Sequence, residues 1–370
     1  MRRSTSGAWV FALVLGFGCG GERDVVPTAP GLVPSLGKNA GPSITVVALP
    51  TLGGGGDAYA INDAGTAVGY SLPASGPGYS FAVRWTESNG RWTVTQIGGR
   101  GTKAAAINSG GTIAGDSAYA PVGDAIVWWP GGAREVVGPG EANGINDAGV
   151  VVGTRSGLGF HSPAAWRKVG GVWAVTILEN APGTVAICPQ QVSNAQANSI
   201  SDAGIIVGFL YSQDCSRHYA VKWVPKVNPE DGWEPAEILQ GASGMVRSYA
   251  YGIEGNAIVG VAWPCAMLEG CLRRAYRWSL TPGSSDTGPI GSLDARANGV
   301  NAAGASVGSY LDPQRMRAVM WNPSGGAYVT LPALTQSKAH WVWDINNPTP
   351  SRSARLAVGG AGGPVLWTIP

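Results

Sequence analysis

Ala60-Ile61-Asn62-Asp63-Ala64-Gly65, with Gly69 close behind it, decides how this chain is read, because the phrase returns. It recurs as Ala106-Ile107-Asn108 with Gly111 and Gly115, and as Gly144-Ile145-Asn146-Asp147-Ala148-Gly149 with Gly153. Ser199-Ile200-Ser201-Asp202-Ala203-Gly204 with Gly208 follows. Weaker copies run from Ile253 to Gly260, from Val300-Asn301 to Gly308 and from Ile345-Asn346 to Gly359. A second marker, a short apolar segment ending in Trp, follows each copy. It reads Ala82-Val83-Arg84-Trp85, Ala125-Ile126-Val127-Trp128, Ala164-Ala165-Trp166 and Ala220-Val221-Lys222-Trp223. Ala275-Tyr276-Arg277-Trp278, Ala318-Val319-Met320-Trp321 and Val365-Leu366-Trp367 complete the series. Both markers advance by about 47 residues per step, a period at which one supersecondary unit is copied side by side in radial β architectures.

Inside a repeat the pattern is that of strands. Val68, Tyr70, Ile113, Val151, Val152, Ile206 and Val207 stand in short β-branched and aromatic runs bounded by Gly, Asn, Asp and Pro. Asn-Asp-Ala-Gly between two such runs is turn chemistry, with Gly free to take positive φ. Four strands fit each repeat: one ending at Ile-Asn, one holding the Val-Gly pair, one ending at Trp, and a fourth like Trp92-Thr93-Val94-Thr95-Gln96-Ile97. No sustained 3.6-residue apolar period occurs, so helix is expected to be nearly absent.

The two ends of the chain fit together. The last repeat stops at Trp367-Thr368-Ile369-Pro370, without room for a fourth strand. Val47-Ala48-Leu49-Pro50-Thr51-Leu52 parallels Val329-Thr330-Leu331-Pro332-Ala333-Leu334, so the amino-terminal segment supplies the missing strand. The expected fold is all-β: a seven-bladed β-propeller of four-stranded antiparallel blades over residues 44–370, closed by Val46–Leu49 beside Val365–Trp367. In that scheme the recurring Trp packs blade on blade rather than offering a ligand platform. Asp63, Asp147 and Asp202 align with Ser109 and Ala302, which a ring of metal ligands would not tolerate, so they are read as turn formers.

Residues 1–18 carry a different signal. Arg2 and Arg3 precede an apolar stretch through Phe17 that is too short to span a bilayer, followed by Gly18-Cys19. Leu15-Gly16-Phe17-Gly18-Cys19 resembles a bacterial lipobox, although that pattern places Leu where this chain has Gly16. The resemblance implies lipid attachment at Cys19 and, with Gly20 next, sorting to the outer membrane or cell surface; an ordinary secretory signal, leaving a secreted or periplasmic protein, is the alternative. Residues 19–43, rich in Gly and Pro, read as a flexible tether. The 25 basic and 23 acidic residues balance once Arg2 and Arg3 are set aside, which gives no electrostatic case for nucleic acid or for a membrane contact beyond the anchor. Cys188, Cys215, Cys265 and Cys271 are an even number in an exported chain, expected to pair as Cys188–Cys215 and Cys265–Cys271.

Taken together, Ile-Asn-x-x-Gly-x-x-x-Gly and Ala-x-x-Trp resemble the bacterial extracellular repeat family named for a His-Ala-Phe motif, over most of residues 57–367. The Ile-Asn half matches well. In the other half Phe81, Asp124, Tyr219, Arg274 and Arg317 stand where that family has His. The resemblance implies export and a propeller-like fold, and no activity.

Catalytic signatures are absent from the sequence: there is no Gly-x-Ser-x-Gly, no His-Glu-x-x-His and no calcium loop. No metal and no cofactor is expected. Gly53 to Gly56 looks like a phosphate cradle, but no helix follows it. What is left is the disc face with the longest loops, carrying Asp57, Arg100, Lys103, Glu141, Arg247, Asp294, Arg296, Lys338 and His340 as candidate ligand-binding residues; of the three histidines, His340 is the one expected at the central funnel. The expected function is a monomeric binding or scaffolding module for an extracellular protein or glycan rather than an enzyme. The alternative is a hydrolase or lyase acting on an extracellular polysaccharide through carboxylates such as Asp57, Glu141 or Asp294, with His340.

Overall fold

Each Ile-Asn phrase ends the inner strand of an antiparallel meander. In repeat 1 the strands Gly53–Ile61, Ala67–Pro73, Phe81–Ser88 and Arg91–Arg100 pair in chain order. Ala295–Val300, Ser306–Leu311, Met316–Trp321 and Tyr328–Thr330 do the same in repeat 6. Repeats 2 and 3 share a strand: Arg134–Ile145 pairs first with Asp124–Trp128 and then with Val151–Ser156, so the two form one seven-stranded sheet. Repeat 4 (Gln196–Ile200, Ile206–Ser212, His218–Trp223, Glu237–Ile238) meets repeat 5 (Arg247–Glu254, Ala257–Trp263, Arg274–Ser279, Gly288–Pro289) through one parallel pairing, His218 with Arg247. This computed structural model describes residues 43–75, 78–117, 123–157, 161–188, 195–240, 245–264, 272–281, 287–291, 294–323, 327–334 and 340–370. Cys19, Cys265, Cys271 and Lys338, and the expected leader and tether through residue 42, lie outside the described residues. The helical content among the described residues is one 3-10 turn, Pro229–Asp231, and no helix there is long and apolar enough to cross a membrane. The architecture is a β-propeller.

The amino-terminal strand lies where the chain-end argument puts it. Thr45–Ala48 runs antiparallel to Pro364–Ile369, with Val46 opposite Trp367 and Ala48 opposite Val365. It completes the order Thr45–Ala48, Pro364–Ile369, Arg355–Gly360, Trp341–Ile345 in repeat 7. Ile44 and Val46 pack against the apolar cluster of Leu331, Val342 and Trp367.

The second glycine of the phrase has a steric cause. Every inner strand carries a bulge that turns one carbonyl of that strand towards the strand beside it. A Cβ on Gly69, Gly115, Gly153, Gly208, Gly260, Gly308 or Gly359 would collide with the carbonyl oxygen of Asp57, Lys103, Glu141, Gln196, Tyr249, Arg296 or Trp341, respectively. Glycine is the residue that lets the two backbones approach.

The Asn of the phrase acts beyond its own turn. Its Oδ1 accepts from the backbone N–H four residues on, as Asn62 does from Thr66, while its amide donates to the carbonyl of the same position in the next repeat. Asn62 donates to Asn108 (3.0 Å), Asn108 to Asn146 (3.1 Å) and Asn146 to Ser201 (3.2 Å). Asn301 donates to Asn346 (3.1 Å), and Asn346 donates back to Asn62 (3.4 Å). Ser201 and Glu254, at the same place in repeats 4 and 5, have no amide to give. There Asn198 still donates to the Ala250 carbonyl (2.7 Å), as Asn143 and Asn298 do from their own repeats to the next, and the Arg277 guanidinium donates to Ser306 Oγ (2.7 Å).

The aligned aspartates correct the sequence reading. Asp147 accepts from the Ser109 N–H and hydroxyl of the preceding repeat, Asp202 from the Asp147 N–H, and Asp63 from the Asn347 N–H. They tie one repeat to its neighbour rather than serving simply as turn formers. The Asp bonds are charge-assisted and stronger than a neutral one; at Asn347 a neutral amide oxygen accepts the equivalent bond from the Ala302 N–H.

The seven marker tryptophans are at most 2 % exposed. Trp85, Trp223 and Trp367 donate their indole N–H to Pro50, Glu179 and Pro332, each in the connection that follows the outer strand of the preceding repeat. Cys188 and Cys215 form a disulfide with Cα atoms 5.8 Å apart, stapling the connection before repeat 4 to the turn between its second and third strands. Closing a 27-residue separation contributes about 2–4 kcal/mol by restricting the unfolded chain.

Candidate functional site

The bulges decide which side chains face the propeller axis. Aligned on the glycine contact, the residues at the head of the bulge are Asp57, Lys103, Glu141, Gln196, Tyr249, Arg296 and Trp341. No two are alike. The next position is Ala in six repeats and Val342 in the seventh, fully buried in all of them. The bulged residue follows: Tyr59, Ala105, Asn143, Asn198, Tyr251, Asn298 and Trp343.

Lys103, Tyr249, Glu141 and Asp57 act on the second strand of the preceding repeat. The Lys103 ammonium lies 5.7 Å from the Tyr70 ring, and the Tyr249 ring packs 4.5 Å from Phe209. Glu141 acts electrostatically on Asp116. Asp57 sits over Gly360, where a Cβ would collide with its carboxylate.

Asp57 is 6 % exposed. Its Oδ2 accepts from the Trp341 indole at 3.0 Å, while Oδ1 is buried with no hydrogen-bond partner among the described residues. Burial pushes its pKa up to about 6, against the pull of the Trp341 and Trp343 indoles. Asp116 is also held near 6, by burial and by the Glu141 charge, with Lys103 opposing. Tyr59 lies in the field of both carboxylates, its ring 5.8 Å from Trp343 and 5.7 Å from Tyr70. On the other side of Trp343, the Arg296 guanidinium covers the indole at 4.9 Å. Burial lowers the Arg296 pKa, its Nε has no hydrogen-bond partner, and it enters no ion pair among the described residues. Arg273 is engaged by Asp294 at 2.9 Å.

The structure sorts the sequence candidates. Asp57, Lys103, Glu141 and Arg296 occupy one register on four inner strands. Arg247 and Asp294 stand two residues earlier in their repeats, towards the rim. Arg100 ends an outer strand with its guanidinium 3.4 Å above the Tyr79 ring. Lys338 lies outside the described residues. His340 is a correction: it is fully buried, its Nε2 3.1 Å from the Leu331 carbonyl, and it packs into the body of the sheet rather than the funnel. The aromatic wall of Tyr59, Trp341 and Trp343 and the buried Asp116 were not among the candidates. The signal that finds them is the register of the bulge, which follows from aligning the repeats on the Ala-x-x-Ile-Asn spacing. Among the described residues, no group of three or more His, Cys, Asp or Glu side chains is placed to hold a metal ion.

Acidic groups at the Ile-Asn turns also carry shifted pKa values. Asp344, which accepts from the Ile61 and Ile345 N–H groups, is pushed up to about 6 by burial. Glu254 is pushed up to about 7 by burial and by Asp202, Asp63, Asp344 and Asp147. A carboxyl with a raised folded-state pKa contributes fully below its unfolded pKa, and that contribution is lost as pH rises through the folded value. Asp57, Asp116, Asp344 and Glu254 therefore favour the folded state fully below about pH 4 and lose this between about 4 and 7. His218, held down to about 4 by burial and Arg247, opposes them, because its contribution falls as pH drops from 6.5 towards 4. Thermal melts are expected to show Tm rising on the order of 5 °C between pH 8 and pH 5.5. A Tm that is flat or falling over that interval would contradict the full or partial desolvation of these four groups.

Solved structures similar to this chain at low identity include β-propellers. TolB from Acinetobacter baumannii is 13% identical over 78% of this chain and 66% of its own, with a TM-score of 0.46. The β-propeller domain of the trilobed protease from Pyrococcus furiosus is 10% identical, covering 83% of this chain and 90% of its own, with a TM-score of 0.49. A gluconolactonase from Xanthomonas campestris is 9% identical, covering 88% and 98%, with a TM-score of 0.40. No protein-family model matches the chain. No curated protein matches it either.

Proposed function

We propose that this chain is an exported, lipid-anchored β-propeller of seven blades, closed between its first and last repeats, that binds an extracellular protein or glycan at its axial funnel. One observation carries the reading. Where the fold constrains a position, the repeats agree: Gly beneath the bulge, Ala beside it, Trp between repeats. At the head of the bulge they disagree completely, with Asp, Lys, Glu, Gln, Tyr, Arg and Trp on one rigid frame. Diversity confined to one register of a repeat, at least partly open to solvent everywhere but Asp57, is what recognition requires and packing does not. The lipobox-like Cys19 and the resemblance to the His-Ala-Phe repeat family support an anchored role at the outer membrane or cell surface.

A second reading, hydrolysis or elimination on a polysaccharide, draws on Asp57 and Asp116. Both are held near 6 about the same Tyr59, and raised carboxyls of this kind can serve as general acids. The test is glycan-array and cell-envelope pull-down binding run beside turnover assays on the same polymers. Saturable binding without product, lost in Trp341→Ala, is the expected result. Product formation that depends on Asp57 would replace the binding reading with the enzymatic one.

A further inference from the structure

The funnel is unbalanced in a way that specifies a ligand. Arg296 is a half-buried guanidinium that stacks on Trp343 and has no carboxylate among the described residues. Its neighbour Arg273 is engaged by Asp294, and the Arg273 charge itself disfavours the Arg296 cation. A desolvated cation without a counter-charge is unfavourable until an anion arrives. Across Trp343 the chemistry reverses. Asp57, on the inner strand of repeat 1, presents a carboxylate oxygen with no donor among the described residues. Between the two sides stand the partly exposed faces of Tyr59, Trp341 and Trp343.

We infer that the funnel binds an acidic sugar: a uronate residue whose carboxylate pairs with Arg296, whose hydroxyls donate to Asp57, and whose C–H face stacks on the Trp341 and Trp343 indoles. This rests on the binding reading above and names its ligand class. The anion is required by Arg296, a hydroxyl donor by the unmatched Asp57 oxygen, and the flat apolar face by the indoles. A peptide carboxylate would answer the first requirement and leave the other two unmet. A neutral sugar would leave Arg296 unpaired.

The test is titration calorimetry on the full chain with trimers of galacturonic, glucuronic and mannuronic acid, each against its methyl ester. The pairs share shape and hydroxyls and differ in charge. The expected result is binding of at least one acid with its ester at least ten-fold weaker. Arg296→Gln should lose the acid-over-ester preference while keeping the melting temperature within a few degrees. Asp57→Asn should weaken acid and ester alike, since it acts on hydroxyls. Equal binding of acid and ester, or a preference that survives Arg296→Gln, overturns the assignment, as does failure of all three acids to bind. If neutral glycans bind through Trp341 while every uronate fails, the ligand class falls and the binding function stands. If nothing on the array or in the envelope binds, the binding function itself falls.

Discussion

Gly153→Ala is expected to destabilise the fold by about 3 kcal/mol or more, an unusually large effect for the addition of one methyl group. The new Cβ would overlap the Glu141 carbonyl oxygen and carbon and press on the Ala142 Cα, all backbone atoms of the bulged inner strand. Backbone held in a paired strand cannot swing aside as a side-chain tip can. Relief would require flattening the bulge, and flattening it moves Glu141, Ala142 and Asn143 together, with the Asn143 amide bond to the Ala197 carbonyl in the next repeat. The damage therefore crosses the repeat boundary. Gly131→Ala is the control, because nothing lies within 4 Å of a Cβ there, and its effect is expected within about 0.5 kcal/mol of zero. Urea denaturation of the two variants reads the difference directly. If they unfold at the same midpoint, the steric account of the repeat glycine is wrong.

That glycine also shows what could be read in advance. Its recurrence with Ile-Asn marked the repeat, and the matching of Val47–Leu52 with Val329–Leu334 marked where the chain ends meet. Both are periodic facts, and periodicity survives in a sequence. What Gly153 contacts is not periodic information, since a bulge leaves no signature of its own and the sequence around the glycine reads equally well as an ordinary turn. The same limit explains Asp147. A carboxylate that caps its own turn and one that accepts from Ser109 in the preceding repeat leave the same residue in the same place. His340 failed for a different reason. It directly precedes Trp341, which does reach the funnel, and neighbouring residues on a strand point to opposite faces. One step in register separates a wall of the site from the interior of a sheet. Asp57, Lys103, Glu141 and Arg296 were found as charges on loops, whereas their equivalence, which makes them a site, needed the bulge.

Removing the amino-terminal strand is expected to have the largest effect of all. A chain beginning at Leu49 loses the four pairings of Thr45–Ala48 with Val365–Thr368 and the packing of Ile44 and Val46 on the Leu331–Val342–Trp367 cluster. The lost contacts belong to one repeat, but the consequence is wider. Repeat 7 donates Asn346 to the Asn62 carbonyl and the Asn347 N–H to Asp63, and Trp341 to Asp57, so it is the neighbour on which repeat 1 rests. With its outer strand gone, Pro364–Ile369 becomes an unpaired edge flanked by buried apolar residues, a template for pairing with another chain. A shift to larger species than the full-length chain forms on size exclusion and a fall in Tm on the order of 10 °C are expected. Adding a synthetic peptide of residues 43–52 should restore both, because the strand is held by backbone pairing and two apolar side chains rather than by its covalent link to Leu49. Aspartate at Val46 in that peptide should abolish the rescue, placing a charge in the apolar cluster beside Trp367. A truncated chain that elutes and melts with the full-length protein would show that the first and last repeats do not depend on this strand, and would remove the case for a propeller closed at repeat 7.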